Sequence, residues 1–203
     1  MKLALIPVGP CEWRAEGRLL GRVELPPADD AVGAVEAWAS RLSEVDVRRF
    51  FCAPDELSRT TAKRLARKLQ ASVRSRDDLA EVDVGLWAGL TGDELKTRYA
   101  TAHRQLCDAP LSVHPPRGEE FAAAAERLRG ELAAILKKNE DSGTALVVRP
   151  LAFALLRALL GATDGASFWE IACTANEPVV IESPKLAGDD TMKVAAGGRT
   201  GRV

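Results

Sequence analysis

Histidine is almost missing from this sequence. A chain of 203 residues carries only His103 and His114, and none in its first hundred positions. No zinc-type ligand spacing can be written with so few, and nothing else in the chain calls for a metal or a cofactor. Cysteine is sparse too: Cys11, Cys52, Cys107 and Cys173 are widely scattered with no short paired spacing. They read as free thiols of a cytoplasmic protein, not as a disulfide framework. An excess of charge of one sign is also lacking, since 28 basic side chains face 29 acidic ones. That balance gives no electrostatic case for nucleic acid or an anionic membrane surface. Long apolar runs are absent, and Leu151 to Leu156 is far too short to span a bilayer. At the amino terminus, Leu3 to Ile6 is interrupted by Pro7 and Gly9, which leaves it short of a secretory core.

What is present describes an ordinary globular protein, 46% hydrophobic and 28% charged. One domain over residues 1–203 is expected, with a loose Gly/Arg-rich tail from Gly197 to Val203. Short apolar runs predict strands at Lys2–Val8, Val47–Cys52, Ser72–Arg76 and Thr144–Val148. An edge strand is expected at Glu177–Glu182 and a weaker one near Met192–Ala195. Helical spacing of apolar residues predicts helices at Ala31–Val45, Leu57–Leu69, Glu94–Leu106, from Glu119 onward, and Leu151–Leu160. Pro110 to Pro116 reads as an extended loop. Strands alternating with helices of this length imply an α/β fold, a three-layer α/β/α sandwich. Ligands of such sheets sit at the carboxyl ends of the strands, here the loops after Val8, Cys52 and Val148. Trp13, Trp38, Trp87 and Trp169 read as packing residues, and the basic run from Lys63 to Lys68 as a solvated helix face.

Those strand ends carry a family likeness. LALIPVGPCEWRAEGRLLGRVELP resembles an opening that usually reads LxLIRHGET-x-x-N-x-x-x-R-x-Q-G, with Gly9, Trp13, Gly17, Arg18 and Gly21 in register. CAPDELSRTTAKRLA is similar to S-P-L-x-R-A-x-x-T-A through Pro54, Thr61 and Ala62. LAEVDVGLWAGLTGDEL is similar to L-x-E-x-x-x-G-x-W-E-G-L-T through Glu81, Gly85, Trp87, Gly89 and Leu90. PPRGEE resembles PPGGES, and TALVVRPLAFALLRALLG resembles the strand and helix around a second histidine. Together these blocks resemble the histidine phosphatase superfamily of phosphoglycerate mutase type, collinear over nearly the whole chain.

The resemblance implies a sharp chemical demand. In that family a histidine attacks phosphorus, two arginines and a second histidine hold the phosphoryl oxygens, and a carboxyl group protonates the leaving oxygen. The arginine–histidine pair corresponds here to Pro7 and Val8, the second arginine to Leu57 and the second histidine to Arg149, while the acid position keeps Glu81. Valine has neither a lone pair nor a proton to move, and loss of a nucleophile costs roughly a million-fold in rate. The sequence is therefore expected to be a catalytically inactive relative, a pseudoenzyme acting by binding or as a subunit of an assembly.

Two alternatives stay open. Gly9, Cys11, Arg14 and Arg149 are candidate anion-binding residues, with Arg14 and Arg149 holding a phosphate-bearing molecule as a sensor; against this, Arg149 would pair with Glu81 and plug the pocket. The other is a phosphatase or mutase-like enzyme with non-standard catalytic residues, built on Cys11, Glu81 or His114. Cysteine phosphatases, however, use C-x5-R, and both Cys11–Arg18 and Cys52–Arg59 are one residue too long. The expected partner is a phosphate-bearing small molecule or a protein.

Overall fold

Strands β1 (Lys2–Pro7), β2 (Val47–Cys52), β3 (Ser72–Ser75), β4 (Gly143–Val148) and β5 (Val179–Glu182) form one sheet in the order β3-β2-β4-β1-β5. The computed structural model of the chain describes residues 2–28, 31–139, 142–163 and 165–187. The strand expected near Met192–Ala195 and the tail from Gly197 lie outside them. Pairing is parallel for β1 with β4, β4 with β2 and β2 with β3; β5 alone runs antiparallel, along β1.

The central strands β1 and β4 are mostly apolar and buried because both of their faces are covered. Strand β2 is buried from Phe50 onward and exposes Arg48 and Arg49 before it. Successive side chains point to opposite sides. Leu3, Leu5, Phe51, Leu146 and Val148 enter one core, while Ala4, Ile6, Val8, Phe50, Cys52, Ala145 and Val147 enter the other. Helices α2 (Ala31–Leu42) and α3 (Glu56–Leu69) cover the second core. The first is covered by α4 (Gly92–Arg98), α5 (Ala100–Asp108), α6 (Phe121–Lys138), α7 (Pro150–Leu159) and α8 (Phe168–Thr174). A single helical turn, α1 (Glu12–Ala15), follows β1. This is the expected three-layer α/β/α arrangement. No helix among the described residues is long and apolar enough to cross a membrane.

Three segments differ from the sequence-based expectation. The helix expected over Glu94–Leu106 is two, broken at Tyr99 (φ −134°, ψ 51°), whose ring packs on Trp87 at 5.6 Å between centroids. The loop from Pro110 opens with a 3-10 turn over Pro110–Ser112. Helix α8 was not anticipated at all, although Ser167 and Glu170 form a reciprocal capping box at its start.

Gly85 shows how tightly the loop leading to Trp87 is set. Its φ is +50°, and a Cβ there would stand 2.2 Å from the Pro116 carbonyl oxygen and 2.6 Å from the Arg117 carbonyl carbon. Both obstacles are backbone, and the Leu86 N–H donates to that same Pro116 oxygen at 3.0 Å. Gly85→Ala is therefore expected to cost about 3 kcal/mol of stability from strain and displaced backbone. Urea unfolding checks this, and a loss below about 1 kcal/mol would contradict it.

Candidate functional site

The carboxyl ends of β1, β2 and β4 converge, as the fold requires. After β1 the chain runs through Val8, Gly9, Pro10 and Cys11 into α1. Val8 is wholly buried, and its N–H donates to the Val148 carbonyl at 3.0 Å, which extends the β1–β4 ladder by one residue. The Gly9 N–H donates to Thr61 Oγ1 at 3.0 Å, and that hydroxyl donates in turn to the Leu57 carbonyl at 2.9 Å. Thr61 thus ties the β1 loop to α3. Leu57, one turn earlier on α3, is wholly buried in the same core as Val8. Arg59 points away and is exposed.

Arg149 lies at the end of β4, immediately before α7, and is completely buried. Its Nε stands 3.0 Å from Asp55 Oδ1, and its Nη1 donates to the carbonyls of Gly21 and Val23, both at 2.8 Å. Asp55 caps α3: Oδ1 accepts from the Ser58 N–H at 2.9 Å and Oδ2 from the Ser58 hydroxyl at 2.7 Å. One buried cation therefore fastens β4 to the β2–α3 turn and to the loop that follows α1. The expected Arg149–Glu81 plug is not what forms. Arg149 has Asp55 as its ion-pair partner, an acid that the sequence reading had not singled out.

Glu81 serves a different end. It is buried, and its carboxylate accepts from the N–H groups of Val82 at 2.9 Å, Leu151 at 3.0 Å and Ala152 at 2.7 Å. Leu151 and Ala152 belong to the first turn of α7, whose amides have no partner inside the helix. Glu81 thus caps α7 from a distant loop. Burial pushes its carboxyl up to about 7, partly opposed by the three amides and by the charge of Arg149. The loop that carries Glu81 is held by Arg22, which donates to the Glu81 carbonyl and to Glu119, and by Arg127, which donates to both oxygens of Glu119.

Arg14 reaches from α1 to the Val8 and Ala175 carbonyls and to Asn176 Oδ1 at 2.8 Å. Burial lowers its pKa, against the pull of Cys11 and Glu81. Two cavities flank this side chain. One of about 420 Å³ is lined by Val8, Pro10, Cys11, Arg14, Trp38 and Glu177 among others. The smaller, about 160 Å³, is lined by Arg14, Glu81, Leu151, Trp169, Cys173 and Asn176 among others. Arg149 lines neither cavity, so the anticipated clamp of Arg14 and Arg149 around one anion is not built by these walls. Nor does a histidine line them: His103 packs edge-on against Trp169 from α5, and exposed His114 stands 3.6 Å from Glu120. Among the described residues no three His, Cys, Asp or Glu side chains are grouped to hold a metal.

The histidine phosphatase superfamily model (branch 1) matches residues 4–184. The chain belongs to the histidine phosphatase superfamily. Phosphoserine phosphatase 1 of Hydrogenobacter thermophilus is 25% identical to it over 174 residues, covering 85% of this chain and 82% of that protein. YhfR of Bacillus stearothermophilus superposes with a TM-score of 0.75 at 20% identity, over 93% of this chain and 96% of that one. A mycobacterial glucosyl-3-phosphoglycerate phosphatase, solved with VO3, gives a TM-score of 0.70 at 20% identity, over 79% and 80% of the two chains.

Within this superfamily fold, Asp55 and Asn176 are the site residues that sequence reasoning missed, while Thr61 was marked only as a match to a family segment and not for its bond to Gly9. Asp55 had a local signal, an acid three residues before Ser58 at a helix start, but its partner is remote in the chain.

Two consequences are measurable. Asp55→Ala leaves Arg149 buried without a counter-charge and strips α3 of its cap, an expected loss of about 3–5 kcal/mol in urea unfolding. Adding Arg149→Met to that variant should recover a large part of the loss; no recovery would show the pair to be uncoupled. Glu81 gives a pH signature. Its folded-state pKa lies above the unfolded one, so its contribution is complete below the unfolded value of 4.5 and is lost as pH rises through about 7. Relative to Glu81→Gln, the wild type should lose up to about 3 kcal/mol between pH 4.5 and 8. Thermal unfolding of both proteins across that range reads the difference, and a wild type that gains on the variant as pH rises would refute the assignment.

Proposed function

We propose that this chain is a catalytically silent member of the histidine phosphatase superfamily, acting by binding or as a subunit of an assembly. The observation that carries the reading is what stands at the strand ends where the family's phosphoryl chemistry takes place. Val8 and Leu57 are wholly buried apolar side chains, and Arg149 is wholly buried and engaged by Asp55, Gly21 and Val23.

Two physical arguments support it. Phosphoryl transfer through an imidazole needs a nucleophile with a lone pair in the pocket; neither cavity beside Arg14 is lined by histidine. Clamping the transferred phosphoryl group needs cationic donors aimed at open space. Arg149 aims two of its N–H groups at protein carbonyls, and Arg14 is engaged by Val8, Ala175 and Asn176. The carboxyl that remains, Glu81, caps α7 in place of meeting a leaving group. The two cavities persist, which leaves room for a small phosphate-bearing molecule or for a side chain of a protein partner.

Hydrolysis of p-nitrophenyl phosphate by the purified protein tests this. Turnover no higher than buffer is expected, unchanged in Glu81→Gln of verified circular dichroism. Turnover well above buffer that Glu81→Gln abolishes would show a working acid, and with it an enzyme.

A further inference from the structure

The larger cavity, about 420 Å³, is bounded by α1, α2 and the segment after α8. Small-molecule sites typically enclose about 300–1,000 Å³, with mainly apolar walls and a few placed polar groups. Val8, Pro10, Ala15, Ala37 and Trp38 supply the apolar part here, and Trp38 is the aromatic ring among the described walls. Two of the polar groups are already committed: Glu177 pairs with Arg41, and Asn176 Oδ1 accepts from Arg14 Nη2. Arg14 is the exception. Its partners are all neutral oxygens, the Val8 and Ala175 carbonyls and the Asn176 amide, and no carboxylate among the described residues forms an ion pair with it. Nη2 spends both of its N–H groups on Ala175 and Asn176, while Nη1 keeps one and Nε keeps its own. A half-buried guanidinium without an ion-pair partner is a place for an anion. Glu81 does not fill that role. It shares the smaller cavity with Arg14 but gives both oxygens to backbone amides, and when ionised it repels an anion from that cavity. In the larger one, the acid among the described walls is neutralised by Arg41.

We propose that the larger cavity binds a small planar aromatic carboxylate. Its ring packs on Trp38 among Val8, Pro10 and Ala37, and its carboxylate accepts from Arg14. The charge count selects a monoanion. A phosphate monoester is largely dianionic at neutral pH and calls for several cationic donors, whereas Arg14 is the cation among the described walls. The apolar remainder of the wall favours a ring over a polar chain, because it has no hydrogen bonds to return to one. This concerns binding alone, so it holds whether or not the chain turns over a phosphate ester.

Calorimetric titration of the full chain with 2-naphthoate, its neutral counterpart 2-naphthalenemethanol and inorganic phosphate tests it. Saturable binding of one naphthoate per chain is expected, with the alcohol at least about tenfold weaker, the difference a charge-assisted hydrogen bond makes. Phosphate should not displace the naphthoate. Arg14→Gln should bring the acid down to the affinity of the alcohol. Ala37 is exposed on α2, so Ala37→Phe fills the cavity without entering the core and should abolish binding with circular dichroism unchanged. Cys173→Phe, which fills the smaller cavity, should leave binding intact. No binding of naphthoate to the wild type, equal affinity for acid and alcohol, displacement by phosphate, or loss in Cys173→Phe with retention in Ala37→Phe would each overturn the proposal.

Discussion

The join between β4 and α7 depends on one buried guanidinium. Taking Arg149 out of water costs several kcal/mol unless its charge is matched and its N–H groups are accepted. Asp55 supplies the charge, and the carbonyls of Gly21 and Val23 supply two acceptors, both for Nη1, while Nη2 meets no acceptor among the described residues. None of these three is near Arg149 in the chain, so the requirement fixes three remote segments against one another. A hydrophobic replacement of the pair would fill the same space at no loss of stability in principle. What an apolar pair would not do is hold the loop after α1 by its carbonyls, and that loop delivers Arg14 and Cys11 to the cavities.

Glu81 depends on the same join. The first turn of α7 needs acceptors for its amides, and Pro150 at the first helical position removes one of the donors outright. Glu81 satisfies the next two. A carboxylate there gains from the amides and the nearby Arg149 charge, yet burial outweighs them and keeps the group close to neutral pH in its titration. The balance explains how one residue fits two roles. A buried carboxyl that is protonated near pH 7 suits a general acid, while the same geometry makes it a helix cap. Which role is exercised depends on the groups around it, and here those are the amides of Val82, Leu151 and Ala152 and the charge of Arg149.

The sheet was legible because both faces of its inner strands are covered, which turns strands such as Lys2–Pro7 and Gly143–Val148 into short uninterrupted apolar runs. The family blocks at Gly85, Trp87 and Glu81 were legible because backbone constraints leave them little choice, as the crowding at Gly85 shows. Helix α8 escaped notice because it is only seven residues long and its apolar pattern is brief; its capping box was the stronger signal. The partner of Arg149 escaped for a different reason. An ion pair between remote residues leaves no local period or spacing, and two acids, Asp55 and Glu81, were both chemically adequate. Burial and chain path chose between them.

The apolar side chains near these strand ends also have a structural logic. A histidine or arginine held open toward solvent keeps a polar pocket hydrated; Val8 after β1 and Leu57 in the first turn of α3 instead join the core between the sheet and α3. Val8 and Leu57 each contribute apolar burial there, on the order of 1.5–3 kcal/mol for a side chain of this kind. The α3 side of the site is held by ordered contacts: Thr61 ties down Gly9 and Asp55 ties down Arg149. On the opposite side, Arg14, Asn176, Trp169 and Glu81 still border open space. On the reading proposed above, a ligand or partner would meet that side, because its polar groups have not been drawn entirely into the core.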